Sequence, residues 1–295
     1  MTRFWSKTNE HSSILSPRRI KLIKSYYVIN VSCVPRRGIE HKRSFYSNII
    51  RRLKSARFNS RNPIDIDLWL LPLNNFAMPD SLTAVLSIKD WQLINRRGVP
   101  SARDAAIASR VLLRIALSLR TGWVCPAEAW EFGRADRGKP FVERGPDIHF
   151  SVSYAGTIVA VAVSEGYPVG VDIETLDRGI CLGGMEHYLS PNEKGAIASQ
   201  PSNLRDSVFL RFWTLKEAFL KSIGLGLGIE LSEIDVSSVA DGETSVHTVC
   251  GRRSVFFTSE LNRLGLQNRG WLSLALTVPG PPSAIRLNIY HPICE

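Results

Sequence analysis

Four charged side chains in this 295-residue sequence stand at spacings that could do chemistry. In Val169-Gly170-Val171-Asp172-Ile173-Glu174, the period of two of an extended strand puts Asp172 and Glu174 on one face, and Val171 and Ile173 on the other. Between Arg211 and Gly228, Trp213, Glu217 and Lys221 follow one another at i, i+4 and i+8, a single stripe along a helix. The two strand acids repel unless a cation, a proton or a cluster of donors offsets them. A hard divalent ion is the economical answer, because Mg2+ takes oxygen ligands, keeps several waters and usually shares its site with substrate phosphates. Two acids on a strand, a third on a helix and a lysine one turn beyond it therefore suit charge neutralisation on a phosphate-bearing substrate. Each piece alone has a plainer reading. A Glu/Lys pair on an amphipathic helix is most often an exposed pair worth little, and a lone D-x-E is most often a solvated strand end.

The helix that carries Glu217 and Lys221 must dock one face. At 100° per residue Phe209, Phe212, Leu215, Phe219 and Leu220 fill one apolar arc, and the charged stripe runs along its edge, where core meets cleft. Gly224 reads as the C-terminal stop, and the Gly-Leu-Gly-Leu-Gly run of 224–228 as a mobile loop. Upstream, Leu189-Ser190-Pro191-Asn192-Glu193 reads as a helix start, with Ser190 as N-cap, Pro191 at the first position and Glu193 closing a capping box. Ordered sequence is expected to begin with a strand over Ile64–Leu71, followed by a short helix over Leu82–Asn95. A longer helix, capped by Ser101, runs to about Leu119 and carries Arg103, Arg110 and Arg114. These arginines are either a solvated basic edge or phosphate-binding forks. A meander follows, with strands at Ala129–Gly133, Ile148–Ser153 and Thr157–Ser164, the last two joined by Ser153-Tyr154-Ala155-Gly156 as a tight link. Beyond the glycine loop, Ser232–Val239, Ser245–Cys250, Ser254–Thr258 and Trp271–Val278 read as strands, and the residues after Gly280 carry no readable pattern.

Composition narrows the class. The length accommodates one large domain or two small ones with a proper core, and no apolar run is long enough for a membrane span. Five scattered cysteines without a C-x-x-C pair argue for a reducing, cytoplasmic compartment and against a zinc site. The net charge of +10 is concentrated: residues 1–63 hold fifteen Lys/Arg against Glu10 and Glu40, a net +13, which leaves the remainder at −3. The globular part therefore gives no support to nucleic-acid binding. The arm 1–63 lacks a period and is expected to be poorly ordered. It reads as a tail, a targeting segment or upstream sequence from a misplaced start.

Four segments together resemble the 4'-phosphopantetheinyl transferases of the two-lobed Sfp type. They are Gly138-Lys139-Pro140-Phe141, Phe150-Ser151-Val152-Ser153-Tyr154-Ala155-Gly156, Gly170-Val171-Asp172-Ile173-Glu174 and Trp213-Thr214-Leu215-Lys216-Glu217-Ala218-Phe219-Leu220-Lys221. Their order and separation match, over about Ile64–Val278. The resemblance implies a mixed α/β (α+β) fold of two similar lobes related by a pseudo-twofold, with the active site between them. The lobes would be 64–168 and 169–295, preceded by the extension 1–63. It implies that Asp172, Glu174 and Glu217 hold Mg2+ against the pyrophosphate of coenzyme A. A serine hydroxyl of an apo acyl, aryl or peptidyl carrier protein would attack the β-phosphate, and adenosine 3',5'-bisphosphate would leave. Lys221 would neutralise the leaving phosphate, and Glu217, or a water it orients, would take the serine proton. Lys139 and Ser153 would contact the nucleotide end, and Lys216 and Trp213 would shape the cleft wall.

Two positions depart from the family pattern. Tyr154 stands where many relatives have a phosphate-contacting His, and a tyrosine hydroxyl carries no positive charge at neutral pH. The place of a phosphate-binding Arg in relatives falls here near Ala105, so Arg103 or Arg110 would substitute. Competing readings are a non-catalytic homologue that binds carrier protein and coenzyme A, a Mg2+-dependent nuclease or phosphatase, and a structural domain whose acids form salt bridges. Two lobes in one chain can form the site without a partner subunit, so a monomer is expected.

Overall fold

The computed structural model describes residues 20–29, 63–74, 78, 80–178, 183–224, 229–280, 282 and 284–294. The strands are β1 (Ile20–Ile29), β2 (Ile64–Pro72), β3 (Phe132–Arg134), β4 (Pro140–Val142), β5 (Ile148–Ala155), β6 (Ile158–Glu165), β7 (Val169–Thr175), β8 (Thr244–Val249), β9 (Arg252–Glu260), β10 (Gly270–Thr277) and β11 (Ile285–Cys294). The helices are a single turn α1 (Asp80–Thr83), then α2 (Ile88–Asn95), α3 (Pro100–Arg120), α4 (Pro191–Ala198) and α5 (Ser202–Ile223). Among the described residues no helix is long and apolar enough to cross a membrane.

The strands form a five-stranded sheet in the order β1-β11-β2-β6-β5, a four-stranded sheet in the order β7-β10-β9-β8, and the small hairpin β3-β4. Alternation along each strand decides what each face meets. Ile66, Leu68 and Leu70 of β2, Ala160 and Ala162 of β6, Val171 and Ile173 of β7, and Leu272 and Leu274 of β10 share one core between the two sheets. The opposite face of the first sheet, with Trp69, Leu71, Val159, Val161 and Val163, packs on Leu112, Leu113, Ala116 and Leu117 of α3. The opposite face of the second sheet, with Phe256 and Ala275, packs on Phe209, Phe212, Leu215 and Phe219 of α5. The central strands are thus buried on both sides, as their unbroken apolar runs require. Both halves repeat one plan. A strand, a long covering helix and two further strands lie in the spatial order first-last-middle, β2-β6-β5 in one half and β7-β10-β9 in the other.

The local signals of the sequence hold where they are complete. Ser190 caps α4 with Pro191 at the first turn, and a full capping box with Glu193 is present. Gly224 ends α5 in the left-handed conformation at φ 69°. Elsewhere the structure differs from the expectation. The helix α3 starts one residue earlier than expected, with Pro100 in its first turn and Val99 rather than Ser101 at the N-cap. The expected helix 82–95 is two pieces, because Ser87 caps α2 with its own capping box to Asp90. Ser153, Tyr154 and Ala155 belong to β5, so the turn to β6 is only Gly156 and Thr157.

The expected strand 232–239 is a 3-10 turn and irregular chain. Its buried Ile234, Val236 and Val239 pack beneath α5, and the Val236 amide donates to the Glu193 carboxylate instead of to a strand. The last strand, β11, returns to the first sheet parallel to β2, although in chain order it belongs to 169–295. β1 pairs antiparallel with β11 and brings part of the basic arm to that sheet's edge. The rest of the arm lies outside the described residues, and with it the expectation of poor order. The expected mobile loop likewise falls there beyond Gly224, at 225–228.

Candidate active site

Two edge strands, β5 and β7, meet along the seam between the halves. Ser151, Val152 and Ser153 alternate on β5, so both hydroxyls face β7. The Val171 amide donates to Ser151 Oγ at 3.0 Å, and Ser153 Oγ donates to Asp172 Oδ1 at 2.8 Å. The helix α5 crosses this seam at very short range. A Cβ on Gly170 would lie 1.9 Å from the Ala218 carbonyl oxygen and 2.5 Å from the Ser222 amide nitrogen. Only glycine allows that approach, and the approach is what carries Glu217 and Lys221 to Asp172.

Asp172 is buried, and its two oxygens are treated differently. Oδ1 accepts from Lys221 Nζ at 2.6 Å as well as from Ser153, and Lys221 Nζ also donates to Ser153 Oγ at 3.1 Å. Oδ2 is buried without a donor, an arrangement that costs free energy unless something fills it. Glu217 is half-buried one turn before Lys221. Burial pushes its carboxyl up, the charge of Asp172 pushes it further, and Lys221 partly opposes both. Glu174 is half-buried on the same face of β7 as Asp172. Among the described residues, no group of three or more His, Cys, Asp or Glu side chains is arranged to hold a metal ion. The three acids therefore do not form a closed cage. Asp172 and Glu217 do form two mutually repelling carboxylates with a spare buried oxygen. That donor set fits Mg2+, which is commonly held by one or two carboxylates with phosphates and water completing the shell.

The other expected site residues are spread out. Trp213 is half-buried on α5, edge-on to Tyr188 at 5.7 Å between ring centroids and tilted on Phe209 at 6.1 Å. Lys216 does not line the cleft. Its side chain is 1% exposed, and its Nζ contacts Glu193 Oε2 at 2.6 Å and the carbonyls of Tyr188 at 2.7 Å and Leu231 at 2.8 Å. Burial pulls the Lys216 ammonium down and pushes the Glu193 carboxyl up, while the pairing opposes both shifts. Tyr154 lies on the opposite face of β5 from Ser153, half-buried against the core under α3. Arg103 is exposed and donates to Asn95 Oδ1 at 2.9 Å. Arg110 is half-buried, 3.6 Å from Asp90 and 5.8 Å from the centroid of Phe132, with its guanidinium pulled down mainly by burial. Ala105 is interior. Arg114 is neither a solvated edge nor a free fork, because it is buried, paired with Asp90, and donates to the carbonyls of Ala127, Glu128 and Trp130.

Lys139 sits at the base of the β3-β4 hairpin, and its Nζ donates to the Ser222 carbonyl at 2.6 Å and to the Val169 carbonyl at 3.3 Å. Burial lowers its ammonium from 10.5 to about 8. Below pH 8 both the folded and unfolded chains carry this proton, and the full cost of burying the charge is present. Between about 8 and 10.5 the folded chain has shed a proton that the unfolded chain keeps, so stability rises with pH across that window. Denaturant titrations should therefore show the wild type gaining on Lys139→Met from pH 8 to pH 10; a constant difference would contradict the shift. The sequence marks Glu193 only as a capping acid, and Ser151 and the carbonyl partners of Lys139 carry no assigned role in it. Only the serine alternation at Ser151 and Ser153 offered a signal.

Comparison with known proteins agrees on one family. A family model described as the 4'-phosphopantetheinyl transferase superfamily matches residues 168–275. A phosphopantetheinyl transferase of Thraustochytrium sp. is 30% identical over 225 residues, which is 68% of this chain and 76% of that protein. The 4'-phosphopantetheinyl transferase HetI of Nostoc sp. is 31% identical over 183 residues, 59% of this chain and 74% of that protein. A 4'-phosphopantetheinyl transferase of Bacillus subtilis is 30% identical over 125 residues, 42% of this chain and 55% of that protein. The chain spans about half the length of the Bacillus relatives it matches.

Proposed function

The chain belongs to the 4'-phosphopantetheinyl transferase superfamily, and on that footing we propose that it transfers the 4'-phosphopantetheine group of coenzyme A to a serine hydroxyl of an apo carrier protein. The observation that carries this reading is the meeting of Lys221 with Asp172 and Ser153 across the seam. It joins the acid-bearing strand, the lysine of the long helix and the serine strand at one point.

In this reading the serine oxygen forms a bond to the β-phosphorus, and the bond to the bridging oxygen of the diphosphate breaks. Adenosine 3',5'-bisphosphate leaves. The Glu217 carboxylate, made more basic by burial and by the charge of Asp172, takes the serine proton. Lys221, 31% exposed at the side chain, would neutralise the leaving phosphate from its place beside Asp172 and Ser153. Ser153 orients Lys221 through its hydroxyl. Asp172 and Glu217, with Glu174 beside them, would hold Mg2+, whose contribution is neutralisation of the diphosphate charge. Trp213 walls the cleft beside Glu217. Carrier domains of fatty-acid, polyketide or peptide synthesis fit this chemistry equally. The free thiols of Cys125 and Cys250 suit a reducing, cytoplasmic compartment.

The test is the intact mass of an apo acyl carrier protein after incubation with this protein, Mg2+ and coenzyme A, beside a reaction with the metal chelated. A gain of one phosphopantetheinyl group that chelation removes is the expected result. No gain on several unrelated carriers, with coenzyme A still bound, would make the chain a binder rather than a transferase.

A further inference from the structure

Two lysines cross the seam in opposite directions. Lys221 reaches from α5 to Ser153 of β5, and Lys139 reaches from the β3-β4 hairpin to the last turn of α5. The hairpin presents Lys139 from a built turn. Ala135 donates its amide to the Lys139 carbonyl at 2.9 Å, Gly138 donates to the Ala135 carbonyl at 2.7 Å, and Arg134 Nη1 donates to the Gly138 carbonyl at 3.0 Å. The stem of Lys139 then lies along Gly224, where a Cβ would come within 3.0 Å of Lys139 Cδ. Carbonyls in the last turn of a helix lack partners within the helix and carry the negative end of its dipole. The Ser222 carbonyl is one of these, and Lys139 meets it at 2.6 Å while also holding the Val169 carbonyl at the start of β7. Its partners are carbonyls rather than a carboxylate, as suits a fixed clamp more than an exchangeable ion pair.

We infer that Lys139 is a positioning residue, a latch from the first lobe that locks the end of α5 onto β7 and so holds Lys221, the residue next to Ser222, against Asp172 and Ser153. Its kinetic consequence rests on the transferase reading; its structural consequence does not. A side chain that contacts coenzyme A would, when removed, raise KM for coenzyme A. A latch, when removed, leaves that KM alone and lowers kcat, because displacing Lys221 by about 1 Å costs up to ~100-fold in rate.

The experiment compares wild type, Lys139→Met, which keeps the stem and removes the donor, and Lys139→Arg, which restores a cationic donor. Hydrogen–deuterium exchange of the ligand-free proteins is read over residues 217–224 and 169–171. Transfer to an apo acyl carrier protein is measured over a range of coenzyme A concentrations. For Lys139→Met the expected result is exchange about tenfold faster at the end of α5, kcat lower by about tenfold to 100-fold, and KM for coenzyme A within about twofold of wild type. Lys139→Arg should recover most of the protection and most of the rate, which a merely bulky structural role would not predict. Unchanged exchange, or a KM raised about tenfold with kcat intact, would overturn the inference and make Lys139 a ligand contact. If Lys139→Met does not fold, Lys139→Gln, with a shorter donor, carries the same comparison under the same criteria. If the wild type transfers nothing, the transferase reading fails and the exchange data alone decide the latch.

Discussion

Replacing Glu217 by Gln is expected to slow transfer by about 10²–10⁴-fold, the range lost with a general base, while leaving the protein at least as stable as the wild type. The two halves of that expectation have one cause. Glu217 is half-buried close to Asp172, and both burial and the neighbouring negative charge push its carboxyl up, so its ionised form is held at a cost to the fold. An amide of the same shape removes the charge and the cost together. It also removes the proton acceptor and one of the two carboxylates suited to Mg2+. The measurement pairs a denaturant midpoint with single-turnover transfer to an apo carrier protein. A variant that lost stability along with rate would show Glu217 to be a structural acid. A variant that kept its rate would remove Glu217 from the chemistry altogether.

Gly170→Ala is the second large effect. The added methyl would stand 1.9 Å from the Ala218 carbonyl oxygen and 2.5 Å from the Ser222 amide nitrogen. Both are main-chain atoms of α5, so no side chain can swing aside, and the helix must back away from β7 by more than 1 Å. Overpacking of this kind costs about 3 kcal/mol or more when backbone has to shift. The same shift carries Glu217, Lys221 and Ser222 away from Asp172, Ser153 and Lys139, so the rate should fall by a further factor of roughly 100. Urea unfolding gives the first quantity and transfer kinetics under conditions of full folding give the second. A Gly170→Ala protein with wild-type stability would mean that the helix does not ride on the strand at this distance.

Signals confined to a few residues could be read without a structure. The capping box of Ser190 and Glu193 and the left-handed stop at Gly224 are satisfied within one turn of chain, so no distant partner can overrule them. The same-face placement of Asp172 and Glu174 follows from the pleat alone, and the stripe of Trp213, Glu217 and Lys221 follows from the helix period. Those local facts, with the quoted motifs, sufficed to identify the family and to nominate the acids and the lysine.

What the chain could not state locally is which atoms those residues meet. Lys216 and Lys221 stand five residues apart on one helix. One is sealed against Glu193 and two carbonyls, while the other faces the cleft on Asp172. That difference is set by which side of α5 the α4 cap and the chain at 229–239 cover, a matter of packing rather than periodicity. Arg110 and Arg114 both approach Asp90, but only Arg114 is sealed there, donating to three carbonyls as well. The apolar alternation of 232–239 resembles a strand, but its hydrogen-bond partners are turns and Glu193, and its apolar side chains pack beneath α5. β11 had no readable pattern, and its place follows from the parallel ladder that β2 offers. Residue types and short-range spacing determined the candidate chemistry. Only the three-dimensional packing, through Gly170, Ser151 and the crossed lysines, decided where that chemistry is assembled and what holds it there.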